Sequence, residues 1–303
     1  MADHEPYATA AGVETAIKDA AKKAAAADPS LDVNMRIQLE YFNRFLSRVF
    51  SDGDRSDWVL KGGTGILARV PSTRATRDID LYRPGFTLIQ TLDDLIRLAS
   101  VDLGDHFRFE HAGHTASIGN DTQPYTDGYR VKFNTFIGLT AKGSLQVDLA
   151  VGTGITGQVT ATEPANALDL PRLVSHRYRV YPVVDQIADK VCATMTKYNE
   201  RASSREKDLV DLVVLAATQD IEGSALRNAL ITEARRRRLE PLDHFTAPSS
   251  WGTGYARLSK SVPHCAGYRT VDLASDLVRR LIDPALSGDA TGKMWSHRSL
   301  QWG

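Results

Sequence analysis

The stretch over residues 58–85, WVLKGGTGILARVPSTRATRDIDLYRPG, restricts the possible folds more than any other part of the chain. Trp58 to Leu60 is a short apolar lead-in, and Gly62-Gly63 forces a backbone turn. Ile66, Leu67 and Val70 predict a helical turn or two before Pro71. Ile79-Asp80-Leu81-Tyr82 then reads as a strand. Side chains alternate along a strand, so Asp78 and Asp80 share one face while Ile79 and Leu81 take the other. The pattern calls for a sheet with a buried apolar face and a polar face bearing two carboxylates.

Two adjacent carboxylates repel and raise each other's pKa unless a cation lies between them. A divalent ion resolves this, and hard oxygen ligands suit Mg²⁺, or Mn²⁺ in its place, bound jointly with substrate phosphates. The same pair also suits two solvated strand-end aspartates. The surroundings favour phosphate. Gly62 and Gly63 free the backbone to approach a triphosphate, and the Thr64 hydroxyl can donate to it. Lys61, Arg69, Arg74 and Arg77 add positive charge around the pair. Neither GxxxxGK[ST] nor GxGxxG occurs here, so the stretch is neither a P-loop nor a dinucleotide fingerprint. Asp148 lies in LQVDLAVG, opposite the alternating set Leu145, Val147, Leu149 and Val151. On a neighbouring strand it could join Asp78 and Asp80 in a set of three able to hold two metal ions and deprotonate a hydroxyl. As a lone strand aspartate it would simply be exposed.

Elsewhere, an Ala-rich helix is expected over residues 9–27, packing lightly or fraying, and a second with a wide apolar face over residues 35–50. An amphipathic helix follows at 88–100. YRVKFNTFIGL and SLQVDLAVG read as strands joined by a TAKG loop of hairpin length. Residues 152–171 suit a boundary. Helices are then predicted over 183–200, 206–218 and 222–239, a long irregular loop over 243–267, and a last helix over 270–283 before a short tail.

Basic and acidic residues balance at 37 each, which gives no overall bias toward nucleic acid or membrane. Residues 1–171 nevertheless hold 17 basic and 22 acidic side chains, and residues 172–303 hold 20 and 15. That asymmetry suits a carboxylate-rich site in one half and phosphate contacts in the other. The two cysteines, Cys192 and Cys265, form no CxxC pair, so a reducing compartment is expected. No apolar run approaches a membrane span and the N-terminus does not read as a secretory signal, so a cytoplasmic location without membrane contact is expected.

In this order, KGGT, the arginines, TRDID and a later VDL strand resemble the DNA polymerase beta-like nucleotidyltransferase superfamily. Within it they are most similar to the AbiEii/AbiGii toxin group, which includes the MenT toxins. The resemblance implies an α+β protein. A nucleotidyltransferase domain over residues 1–171, a mixed sheet flanked by helices, is followed by a helical domain over 172–303 that contributes Lys190 and Asp211 to the cleft. Lys190 stands in DQIADKVCATM and the later element is REKDLVDL, residues 205–212. Asp208 and Asp211 are i,i+3 on a helix and share a face. A buried ion pair joining two helices fits this set equally, and Lys190 could be a solvated helix lysine.

The resemblance implies Asp78, Asp80, Lys190 and Asp211 as catalytic residues. Lys61, Gly62, Gly63, Thr64, Arg77, Asp148 and Asp208 are expected at the nucleotide, and Asp78, Asp80 and Asp148 at Mg²⁺ or Mn²⁺. The activity implied is that of a monomeric type IV toxin with a cognate antitoxin encoded nearby. It would transfer nucleotides from a nucleoside triphosphate to an RNA acceptor, the 3′ end of tRNA, and block translation. The arginine run at residues 235–238 could hold the RNA backbone or be a solvated helix end. Transfer to a protein side chain, and a non-catalytic protein that binds antitoxin or RNA, are the alternative readings.

Overall fold

A computed structural model describes residues 5–116, 128–152, 154–197, 202–239 and 241–303. The chain divides into two compact units, the first drawn from residues 1–71, 75–153 and 161–180, the second from residues 72–74, 154–160 and 181–303.

The first unit opens with α1 (Ala10–Ala27) and α2 (Val33–Val49). Thr9 caps α1 through the Gly12 N–H, and Asp32 caps α2 through the Met35 N–H. The Ala-rich α1 is seated by Val13, Ile17 and Ala21, all buried, so it packs along one narrow stripe. Then come β1 (Val59–Lys61), α3 (Gly62–Arg69), β2 (Ile79–Pro84) and α4 (Leu88–Ala99), the last started by a Thr87/Gln90 capping box. β3 (Phe107–Ala116), β4 (Gly128–Ile137), β5 (Thr140–Gly152), β6 (Thr160–Thr162) and β7 (Tyr178–Val180) complete the unit.

Among the described residues these strands form a seven-stranded sheet in the order β3-β4-β5-β2-β1-β7-β6. It is mixed: β2 runs parallel to β5 and β1 parallel to β7, while β1/β2, β3/β4 and β4/β5 are antiparallel. TAKG, expected as a loop, lies inside β5, and the chain turns at Gly138-Leu139 instead. A two-residue hairpin turn needs positive φ, which Gly138 supplies at +57°. One apolar cluster gathers Phe42, Phe45, Leu46 and Val49 of α2 with Leu60, Leu81, Val131, Phe133, Val147 and Leu149 of the strands. The Phe45 ring lies 5.0 Å from that of Phe133 and 5.3 Å from that of Phe109. Each such buried side chain contributes about 1.5–3 kcal/mol. One face of the sheet is thus committed to the core, which leaves its functional polar residues to the other face.

The second unit contains α5 (Val183–Met195), α6 (Glu206–Thr218), β8 (Ile221–Glu222), α7 (Gly223–Arg236), α8 (Gly252–Ser259), α9 (Val271–Ser287), β9 (Met294–Ser296) and β10 (Gln301–Trp302). The bounds of α6 are those read from the sequence. Residues 198–200 of the helix expected over 183–200 lie outside the described residues. One expectation fails. The stretch 243–267 holds α8 rather than an irregular loop throughout, because Gly252 and Gly254 stand in a helix whose Tyr255 and Ser259 are buried. The short tail expected after the last helix carries two strands. β10, β9 and β8 pair as a small antiparallel sheet, anchored where buried Trp295 donates to the Ala216 carbonyl at 2.8 Å.

The architecture is therefore α+β, a mixed sheet with flanking helices followed by a mainly helical part.

Candidate active site

Register places one polar row across the sheet of the first unit. Lys61 on β1 pairs with Asp80 on β2, Asp80 pairs with Asp148 on β5, and Asp148 pairs with Arg130 on β4. Residues directly opposite on neighbouring strands point to the same face. Leu60, Ile79, Leu81, Val147, Leu149 and Val131, one step along each strand, are buried in the core cluster on the other face. The row reads cation, carboxylate, carboxylate, cation.

Asp78 precedes β2 and is fixed by threonines. The buried Thr64 hydroxyl donates to the Asp78 carbonyl at 2.7 Å, and the buried Thr76 hydroxyl donates to Asp78 Oδ1 at 3.0 Å. The single O–H of Thr64, expected at a triphosphate, is committed to positioning Asp78. Gly62 begins α3 with φ +59°, and a Cβ built on it would stand 1.8 Å from Asp80 Oδ2. The Asp80 carboxylate thus lies directly over glycine backbone at a helix N-terminus. Lys61 is half-buried, with Nζ 5.1 Å from the centre of the Tyr82 ring. Gly63 is buried within the first turn of α3, and Arg77 is exposed.

Arg130 grips Asp148 with two bonds of 2.7 Å, from Nε to Oδ1 and from Nη2 to Oδ2. Its pKa is raised, first by the Asp148 hydrogen bond and charge, and further by the charges of Asp78 and Asp80. All three carboxylates therefore act on one cationic centre. The sequence held no signal for Arg130, because its partner lies 18 residues away on the next strand.

In the second unit Lys190 of α5 reaches two carboxylates of α6. Its Nζ donates to Asp208 Oδ1 at 3.1 Å and to Asp211 Oδ2 at 2.5 Å. Arg205 donates to Asp208 at 2.6 Å, and Arg74 clamps Asp211 with bonds of 2.8 and 2.7 Å. The result is a chain of alternating charge, Arg74–Asp211–Lys190–Asp208–Arg205. Lys190, Asp208 and Asp211 are all buried, which excludes Lys190 as a solvated helix lysine. Arg205, three residues before Asp208 on the chain, serves that carboxylate. Arg74 takes Asp211 from 137 residues away, a distance no local pattern could bridge.

Burial disfavours the Lys190 ammonium, but Asp211 and Asp208 outweigh it and raise the pKa above the ordinary lysine value. Burial likewise pushes the Asp208 and Asp211 carboxyls up. Lys190 and Arg205 hold Asp208 down, at about 2, while Arg74 and Lys190 hold Asp211 below the ordinary carboxylate value. A carboxyl depressed in the folded state stabilises the fold fully above its unfolded pKa, and that stabilisation drains away as pH falls through the folded value. For Asp208 the window runs from 3.8 down to about 2. Urea midpoints are expected to fall across that window and to fall less steeply in Asp208→Asn. Equal slopes for the two proteins would sink this assignment.

Of the arginine run, Arg236 and Arg237 both pair with Glu233, and Arg236 also reaches Asp189 of α5 at 3.5 Å. Those two side chains tie α7 to α5, whereas Arg235 and Arg238 are exposed.

A family model described as the nucleotidyl transferase AbiEii toxin of type IV toxin–antitoxin systems matches residues 44–290. The chain belongs to the AbiEii family. Its general activity is thereby that of a nucleotidyltransferase toxin. No curated protein matches the chain. The solved structure of MenT4, a nucleotidyltransferase toxin from Mycobacterium tuberculosis, is similar at 16% identity and a TM-score of 0.50, over 93% of this chain and 99% of that one. JHP933 from Helicobacter pylori is similar at 14% identity and a TM-score of 0.41, over 86% of this chain and 96% of that one. The likeness to MenT4 is one of fold.

The AbiEii family implies a nucleotide and a metal ion. Among the described residues no three His, Cys, Asp or Glu side chains stand together as a ready-made metal cage. Mg²⁺ seldom uses one, being held by one or two carboxylates together with substrate phosphates. The donor chemistry of Asp78 and Asp80, two half-buried carboxylates one residue apart, fits that mode. Among the described residues no helix is long and apolar enough to cross a membrane.

Proposed function

We propose that this AbiEii toxin transfers a nucleotide from a nucleoside triphosphate to an RNA acceptor, the 3′ end of tRNA, and so stops translation. The observation that carries the reading is the Asp80 carboxylate lying over Gly62 at the N-terminus of α3, in one sheet row with Lys61 and Asp148. A helix N-terminus offers backbone N–H donors and positive dipole to an anion, and glycine backbone lets a phosphate come close. The N–H groups of residues 62–64 would hold the triphosphate, with Lys61 and Arg77 supplying charge. Asp78 and Asp80 would hold Mg²⁺, or Mn²⁺ in its place. Bound there, the ion would offset negative charge that grows on the phosphates.

The acceptor hydroxyl oxygen then bonds to the α-phosphorus as the bond from that phosphorus to the bridging β-phosphate oxygen breaks. The hydroxyl proton passes to solvent water, and pyrophosphate leaves. Lys190, held charged by Asp208 and Asp211, is assigned to offsetting phosphate charge, and Asp211 to orienting that lysine. The cognate antitoxin belongs to the same proposal, as the partner a type IV toxin requires.

The test is incubation with total RNA, Mg²⁺ and each α-³²P-labelled nucleoside triphosphate, beside an Asp80→Ala control. Label in a tRNA-sized band only with intact protein supports the proposal. Label on protein instead would move the activity to side-chain modification.

Gly62→Ala gives a second check. Alanine at φ +59° costs about 1–2 kcal/mol in backbone strain, and its Cβ must displace the Asp80 carboxylate. Gly85→Ala is the control, since Gly85 has φ +81° with nothing within 4 Å of its would-be Cβ. Transfer is expected to fall sharply in Gly62→Ala and little in Gly85→Ala; both lose stability to backbone strain, and Gly62→Ala loses more because Asp80 must move. Equal transfer in both would show that the close approach to Asp80 has no catalytic part.

A further inference from the structure

The row that carries Asp80 does not end at Asp148. Beyond it the same sheet face continues on β4, where Arg130, Lys132 and Asn134 alternate with the buried residues Val131, Phe133 and Thr135. Lys132 pairs across to Gln146 and Asn134 to Ser144, so β5 gives this face polar neighbours. Arg130, Lys132, Gln146 and Ser144 are all exposed in the intact chain, so the face is open to solvent. Farther along β4, Phe136 lies on the same face under the Arg108 guanidinium, 4.3 Å from its ring centre.

The Arg130–Asp148 pair is the unusual element. Each oxygen of Asp148 accepts from one guanidinium, so two of the carboxylate's roughly four lone-pair sites are directed at Arg130 and fewer are left for a metal ion. A bidentate pair of this kind fixes the direction of the arginine more than it stabilises the fold, since at half exposure such pairs contribute little. Arginine has five donors, and Nε and one Nη2 hydrogen satisfy Asp148, so the remaining edge is presented outward. Two residues along β4, about 7 Å away at strand rise, Lys132 adds a second cation on the same face. That interval is close to one nucleotide step of a single strand.

We propose that Arg130 and Lys132 form a phosphodiester subsite for the single-stranded acceptor RNA, and that Asp148 is the anchor of that subsite rather than a metal ligand. The inference rests on the RNA-transfer reading above and names where the acceptor's backbone is held. Asp148 is then a positioning residue. It keeps the guanidinium beside Asp80 in the sheet row, so an RNA phosphate on Arg130 brings the terminal hydroxyl of the strand toward the carboxylate pair. Lys132 takes the next phosphate outward. Asn134 and Gln146 offer neutral hydrogen bonds to sugar or base without adding negative charge.

Two binding measurements on the full chain test this without requiring turnover. In the first, free Mn²⁺ is followed by electron paramagnetic resonance in the presence of α,β-methylene triphosphates. Asp148→Asn is expected to bind Mn²⁺ within about twofold of the parent, whereas Asp80→Asn loses at least tenfold. A tenfold loss in Asp148→Asn would restore Asp148 as a ligand and overturn the anchor role. In the second, a fluorescein-labelled twelve-nucleotide single-stranded RNA is titrated by anisotropy over a range of salt. Arg130→Gln and Lys132→Ala are each expected to weaken binding alike for different sequences and to reduce the log–log salt slope by about 0.7, one phosphate contact each. Unchanged slopes in both variants, or a parent that binds duplex RNA but no single strand, would overturn the subsite. Both substitutions are on the surface, and far-ultraviolet circular dichroism identical to the parent excludes misfolding. Failure of the transfer assay with normal RNA binding would overturn the reaction and leave the subsite standing.

Discussion

Asp80→Ala is expected to lower nucleotide transfer by at least about 10²-fold, the usual cost of removing one group that stabilises developing charge. The effect should fall on turnover. Asp80 stands on the polar face of β2, while Ile79 and Leu81, its neighbours along the strand, are both buried and hold the strand in place. Truncating it relieves repulsion with Asp148, its cross-strand partner, and opens no cavity in the core. Thermal unfolding should therefore shift by no more than a few degrees, which for a unit of this size corresponds to about 1 kcal/mol. Activity lost with the melting point unchanged would fit the assigned role. A large drop in melting temperature would mean that Asp80 is structural, and the transfer assay would then need Asp80→Asn as its control.

Asp211→Ala should act in the opposite way, through stability. Asp211 is buried and satisfies two cations, Arg74 through two bonds and Lys190 through one. Removing it takes two hydrogen bonds from Arg74 and one from buried Lys190. Breaking one partner out of a buried ion network costs about 3–5 kcal/mol, because the remaining charge stays out of water without compensation. Denaturant unfolding of the variant should show a loss of that size. Arg74→Met combined with Asp211→Leu, which removes a cation together with its carboxylate, should recover part of it. A loss below about 1 kcal/mol for Asp211→Ala would mean that Arg74 and Lys190 find water or another acceptor.

These two cases show why the carboxylates of the first unit and those of the second belong to different physical classes. Asp78 and Asp80 are half-buried at the end of a strand, where a ligand can reach them. Asp208 and Asp211 are enclosed and already neutralised. The latter set forms the buried ion pairs read as one of its two possibilities. Its assignment to phosphate chemistry is the proposal that Lys190→Met, compared in turnover and in stability, can separate.

Much of the fold was written locally in the sequence. The apolar periodicity over residues 206–218, the Thr87 cap and the alternation in LQVDLAVG each act within one window of chain, and each produced its element. The Gly-Gly turn and the DID strand are equally local, which is why Asp78, Asp80 and Gly62 could be picked out from residues alone. Short elements held together by distant partners were not legible in this way. α8 forms across two glycines because Tyr255 is buried and donates to the Tyr268 carbonyl at 2.7 Å, and β9 exists because Trp295 reaches Ala216.

The same division holds at the candidate site. Sequence determined which residue types were present and which face of each strand they occupied, since strand alternation is a property of the backbone. Register decided who met whom. Only the parallel pairing of β2 with β5 sets Asp80 beside Asp148, and only the β4–β5 pairing gives Asp148 to Arg130. Likewise only the packing of the helical unit brings Arg74 to Asp211. Ionic pairs across distant segments carry no local signature, because their energy depends on burial and geometry that arise only when the apolar faces have closed.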